Sequence, residues 1–92
     1  MNIIDESLIR VAGSSQTSKV AGAIAGIVRE TGHTQVQAIG AAAVNQAVKA
    51  IVRAREYLEQ DGIEIFFIPE FVDVEFDDKV RTAMRFSVER RK

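Results

Sequence analysis

One stretch of this chain leaves few folds open to it. Residues 35–39, Gln-Val-Gln-Ala-Ile, alternate as a half-buried strand does. Gly40 interrupts the alternation, and a helix begins at once with Ala41, Ala42 and Ala43. A strand passing through a single residue into a long helix belongs to a crossover unit, with the helix laid back over the sheet. Side chains this small at the helix start let strand and helix, or two helices, approach closely. A glycine in this position can also present backbone amides to a phosphate. The several glycines of a dinucleotide or P-loop motif are missing, however. Tight strand–helix packing is therefore the expected role of Gly40.

The segments on either side extend the pattern. Residues 7–12 alternate as a first strand, with Ile9 and Val11 on one face. The polar segment 13–18 is turn-rich, and Thr17 or Ser18 is expected to cap the helix after it. That helix is predicted over about residues 18–31, with Val20, Ile24, Ile27 and Val28 as its apolar stripe. Gly22 and Gly26 lie on one face. Each costs about 1 kcal/mol against alanine, so a close backbone approach is expected there. Gly32 is the expected stop, and His33 falls in a short loop. The second helix is predicted to run to about residue 59. Val44, Ala47, Ile51, Ala54 and Leu58 form its seam, widened by Val48 and Val52. Asn45, Lys49 and Arg53 make a polar stripe, and Gly62 ends the element.

Residues 63–68 are apolar enough for a central strand. Pro69 marks a bulge, an edge or a break, after which residues 71–76 resume alternation. Asp77, Asp78 and Lys79 form a hairpin tip. Residues 81–89 return as a strand, with Thr82, Met84, Phe86 and Val88 on one face and Arg81, Ala83, Arg85 and Ser87 on the other. Arg90, Arg91 and Lys92 are expected to be a loose basic tail, and residues 1–6 a flexible N-terminus. The predicted architecture is an α/β two-layer sandwich of order β-α-β-α-β-β. It is one domain of residues 1–92, a four-stranded mixed sheet with both helices on one face.

Bulk properties then exclude several kinds of chemistry. A chain of 92 residues has a modest core, which dimerisation would help. The lack of cysteine rules out disulfides, thiolate metal sites and a cysteine nucleophile. His33 is the one histidine, so no multi-histidine metal site exists. Ser14 and Ser15 have no G-x-S-x-G setting. Asp73, Glu75, Asp77 and Asp78 cluster at the hairpin but lack calcium-loop spacing and are read as a solvated turn. No catalytic constellation, metal or cofactor is expected. The first residues lack the basic start and apolar core of a signal peptide, and no apolar run spans a bilayer, so a cytoplasmic location without membrane contact is expected.

The net charge of −1 gives no global basic field, so anion binding must come from local clustering. Lys19 opens the first helix. Lys49 and Arg53 share a face of the second, Arg81 and Arg85 a face of the last strand. Brought together, these groups would contact phosphates in a salt-sensitive, sequence-independent way. Ordinary solvation, with pairs such as Arg53–Glu56, is the competing reading.

Three segments carry a family likeness: Val20-Ala21-Gly22-Ala23-Ile24-Ala25-Gly26, Arg29-Glu30-Thr31-Gly32, and Gln37-Ala38-Ile39-Gly40-Ala41-Ala42-Ala43-Val44-Asn45-Gln46-Ala47-Val48-Lys49-Ala50. With Ala54-Arg55, Ile68-Pro69 and Val88-Glu89, they resemble the stage V sporulation protein S family over nearly the whole chain after about residue 7. Ala42 departs from the glycine expected there. That family is similar to the Alba superfamily of small nucleic-acid-binding proteins, whose Ala-Ile-x-x-Ala-Val segment is matched by Ala43-Val44-Asn45-Gln46-Ala47-Val48.

The resemblance implies a non-enzymatic regulatory role in sporulation or bacterial development. It also implies a homodimer or tetramer, and DNA or RNA contacts from the first loop and the hairpin. The expected contact residues are Ser14, Ser15, Gln16 and Lys19 in the loop, Lys49 and Arg53 on the second helix, and Arg81 and Arg85 on the last strand. Lys19 is the loop's only cation, where Alba proteins carry adjacent lysines. This points to a weaker or more selective role than coating DNA. The alternative is a protein-interaction module in septation or coat assembly that does not bind nucleic acid.

Overall fold

The computed structural model describes residues 8–92; the expected flexible segment 1–6 lies outside them. The elements are β1 (Leu8–Val11), α1 (Thr17–Thr31), β2 (His33–Ala38), α2 (Ala41–Glu59), β3 (Ile65–Phe76) and β4 (Lys79–Arg90). This is the predicted β-α-β-α-β-β order. The strands form one mixed sheet in the order β1-β2-β4-β3. β1 runs parallel to β2, while β4 is antiparallel to both β2 and β3. The helices pack on each other and on the sheet.

A single apolar cluster fills the space between the two layers. α1 contributes Ala21, Ile24, Ala25 and Val28, and α2 contributes Ala43, Ala47, Ala50, Ile51, Ala54 and Leu58. From the sheet come Val11, Val36, Ala38, Phe86 and Val88, with Phe67 packed edge-on to Phe86. Alanine predominates because two helices and a sheet crowd into one thin layer, where a larger side chain would overpack. The predicted stripes shift accordingly. Val20, Val44 and Val48 are only partly buried, Ile27 lies outside the central cluster, and Val52 faces solvent.

Several expectations about strands need correction. The apolar run at residues 63–68 is not central: β3 is an edge strand, and β4 lies between it and β2. Pro69 therefore sits within a continuous edge strand, where a missing donor is tolerated, opposite Phe86. His33 begins β2 rather than lying in a loop. The predicted loose tail is tied down at Arg90 and Arg91. The Arg90 amide donates to the Gly32 carbonyl and the Arg91 amide to the Glu64 carbonyl. The Arg91 side chain pairs with Glu64 and lies over the Phe66 ring.

The glycines divide by physical role. Gly32 adopts the left-handed conformation that ends α1, as predicted. Gly62 does the same after α2. Its amide donates to Glu59 and the Ile63 amide to Leu58, the two bonds of a Schellman closure. The expected close approach at Gly22 and Gly26 is absent, since a Cβ at either would meet nothing within 4 Å. The same is true at Gly40, so tight packing does not explain it. Its torsions, φ 91° and ψ 158°, lie in a region that essentially only glycine enters. The real close approach is at Gly13, where a Cβ would come 2.9 Å from the Ala42 Cβ. Helix α1 starts at Thr17 with Gln16 as N-cap and no side-chain cap bond, so neither Thr17 nor Ser18 caps it.

β4 pairs with β2 from Met84 to Glu89 only. Beyond that point β3 and β4 continue alone for five cross-strand pairs, from Val72–Ala83 to Phe76–Lys79. They form a two-stranded arm that projects past the sheet. Its tip is a two-residue turn with Asp77 and Asp78 both at positive φ, 54° and 61°, as a type I′ hairpin requires. Aspartate tolerates this geometry less well than Asn-Gly. Replacing the pair by Asp77→Asn with Asp78→Gly should therefore raise stability by about 0.5–1 kcal/mol in urea unfolding. An unchanged midpoint would show that the tip is not strained.

Candidate functional site

The helices cover one face of the sheet and leave the other open. Strand alternation puts Leu8, Arg10, Gln35, Gln37, Arg85 and Ser87 on the open face, opposite the core residues Val11, Val36 and Phe86. Register then aligns a polar row across the strands, in which Arg10 sits beside Gln37, Gln37 beside Arg85, and Arg85 beside Glu70. Strand spacing sets Arg10 and Arg85 roughly 10 Å apart with the amide between them. Gln37 is 7% exposed. Its Oε1 accepts from Arg85 Nε at 3.1 Å and Nη2 at 2.6 Å, which fixes the guanidinium plane. Among the described residues Arg85 has no carboxylate within ion-pair distance. The ion pairs among the described residues are Arg29–Asp61, Arg55–Glu59 and Arg91–Glu64.

The outer part of the arm, from Val74 to Phe76 with Arg81, and the loop after β1 close this row into a cleft of about 670 Å³. Three guanidiniums line it, from Arg10, Arg81 and Arg85, against the single carboxylate of Glu75. Leu8, Ile39, Val74 and Phe76 supply apolar wall, and the Arg81 guanidinium lies 5.6 Å from the Phe76 ring centroid. The wall formed by the loop is braced from both sides. The Ala12 amide donates to Ser15 Oγ at 2.9 Å, the Ser15 amide to the Ala12 carbonyl at 3.0 Å, and Gln46 Nε2 on α2 to the Ser15 carbonyl at 2.8 Å.

Gln46 also marks the start of a second, shallower groove along α2. Thr17, Lys49, Val52, Arg53 and Glu56 line it. Lys49 and Arg53 stand one turn apart on one exposed helix face. Arg53 makes no ion pair with Glu56 at the distances that define the three above, so the pair named in the competing reading does not form.

The expected contact residues thus fall into three groups. Ser15, Arg81 and Arg85 meet in the cleft, and Lys49 and Arg53 meet in the groove. Ser14, Gln16 and Lys19 are exposed at the loop and helix start, outside both. Sequence reasoning missed Arg10, Gln37 and Phe76. Arg10 was legible in principle, because it alternates with Ile9 and Val11 and so belongs on the open face. Its proximity to Arg85 required the strand order.

Among the described residues no group of three or more His, Asp or Glu side chains is placed to hold a metal ion. No helix among them is long and apolar enough to cross a membrane. The model of the stage V sporulation protein S (SpoVS) family matches residues 7–91, and the chain belongs to that sporulation-related family.

Proposed function

We propose that this chain is a non-enzymatic, cytoplasmic regulator of sporulation, or of a related developmental process, that binds DNA or RNA as a dimer. One observation carries the reading. In a chain of net charge −1, cations without an ion pair among the described residues gather on both sides of the 12–17 loop: Arg10, Arg81 and Arg85 on one side, Lys49 and Arg53 on the other. Local clustering of this kind supplies the phosphate contacts that overall charge does not. Exposed Lys19, Ser14 and Gln16 lie at the loop's rim and would add contacts there.

Fluorescence anisotropy with labelled nucleic acid tests this. Binding should be measurable at low salt and fall steeply as salt rises. Lys49→Glu with Arg53→Glu should flatten the slope of log affinity against log salt by about 2, roughly one unit per lost phosphate contact. Undetectable binding at low salt, or a slope unchanged in the double variant, would falsify the reading.

A second reading has its own observation. Ile68 and Phe71, on opposite faces of β3, are 56% and 73% exposed, and Phe71 offers an aromatic anchor to a protein partner in septation or coat assembly. Capture of a partner that survives nuclease treatment, and is lost in Phe71→Ser, would favour it.

A further inference from the structure

We infer that the cleft beside the arm takes a short run of unpaired nucleotides, so that the protein prefers single-stranded nucleic acid to duplex. The inference rests on the nucleic-acid reading and names the form of nucleic acid it takes. Guanidiniums alone would fit any phosphate. What narrows the ligand is the mixture of groups in one concavity, whose volume falls within the usual range of ligand sites.

Arg10 and Arg85 flank Gln37 on the sheet floor. Arg85 spends Nε and one Nη2 proton on the Gln37 oxygen. Its other terminal nitrogen has no protein partner among the described residues and is free to donate. A phosphate held there would meet two guanidiniums, one already oriented before binding.

Phe76 stands at the far wall, in the last cross-strand pair before the arm's tip. It is 51% exposed, although Arg81 lies over its ring. A large aromatic left half in water beside a cation is an unfilled stacking surface. A nucleobase satisfies it, with the ring and the Arg81 plane as platform and Val74 as an apolar side. Paired bases in a duplex keep their faces against neighbouring bases and cannot reach Phe76, whereas the base of a single strand can. The α2 groove across the loop, with Lys49 and Arg53, offers contacts to the adjoining phosphates of the same strand.

A free mononucleotide could still occupy either the phosphate end or the stacking end alone, so the test separates the two. Anisotropy is measured with a labelled single strand roughly 12 nucleotides long, within known site sizes for single-strand binders, and with its duplex. A mononucleotide serves as competitor. The expected result is tighter binding of the single strand, with weak competition by the mononucleotide. Phe76→Ala should weaken single-strand binding about tenfold and leave duplex binding within about twofold. Phe76→Tyr should restore it, and Phe76→Leu, which keeps apolar bulk without the ring face, should not.

Equal binding of both forms, untouched by Phe76→Ala, overturns this inference while leaving the nucleic-acid reading intact. Absence of all binding at low salt removes both. A mononucleotide that binds as tightly as the strand overturns the assignment to a strand. Phe76 is an exposed arm residue outside the core cluster, so these variants leave the apolar interior intact.

Discussion

Leu58→Ala should lower the unfolding free energy by about 2–5 kcal/mol, measured by urea denaturation with an unchanged m-value. Leu58 has no exposed surface and is among the largest of the fully buried side chains. It also anchors the end of α2. Its carbonyl accepts from both Asp61 and Ile63, and Ile63 packs in the same cluster. The cavity is costly because the buried residue one turn before it on the same face is Ala54, which has no side chain long enough to move in. A domain of this size is worth only about 5–14 kcal/mol in total. The loss should therefore lower the melting temperature by at least roughly 10 °C. A loss under about 1 kcal/mol would show that the helix end repacks freely and that the alanine-rich layer is not rigid.

Gly40→Ala should cost about 1–3 kcal/mol although it introduces no clash. A Cβ there meets nothing within 4 Å. The penalty comes from the backbone alone, since φ 91° with ψ 158° is closed to residues with a side chain. The strain cannot relax locally, because the Gly40 carbonyl accepts the Val44 amide at 3.0 Å, one of the first bonds of α2. Gly22→Ala is the control. Gly22 lies exposed within α1 with equally open space, so alanine there should stabilise by about 0.4–1 kcal/mol. If both substitutions move stability in the same direction, torsion is not what separates the two glycines.

The order of elements was readable in the sequence because each signal was local. Period-two alternation marked β1, β2 and the hairpin, and Gly32 and Gly62 marked helix ends. Errors arose where the outcome depends on what a segment packs against. The 63–68 run looks central because it is apolar. However, the strand order gives the central place to β4, whose Phe86 and Val88 do the packing. Ala43 and Ala50 carry no hydrophobic signal strong enough to displace Val44 and Val52 from a predicted stripe, yet they are buried and the valines are less so. Gly40, expected to serve packing, serves torsion instead, and the close approach lies at Gly13, for a similar reason. Sequence marks a glycine but does not tell a torsional need from a steric one.

The candidate site was legible in part. Arg81 and Arg85 fell on one strand face by alternation alone. Arg10 and Gln37 joined them only through register, which places residues 10, 37 and 85 in a row despite their separation along the chain. The split between cleft and groove depends on how the 12–17 loop sits against α2 through Gln46, a bond with no sequence signature.

The projecting arm and the outer side of β3 have a further consequence for how the chain behaves in a crowd of its own copies. An edge strand twelve residues long is a template on which another chain can add a strand, and Ile68 and Phe71 make this one adhesive. Pro69 stands between those two residues and interrupts the run of available donors. The template is cut into two shorter pieces at its most apolar point. At the far end, the adjacent charges of Asp77 and Asp78 discourage stacking of one arm tip on another. The single proline of the chain thus works as a gatekeeper on the edge of the sheet proper, just before the arm begins.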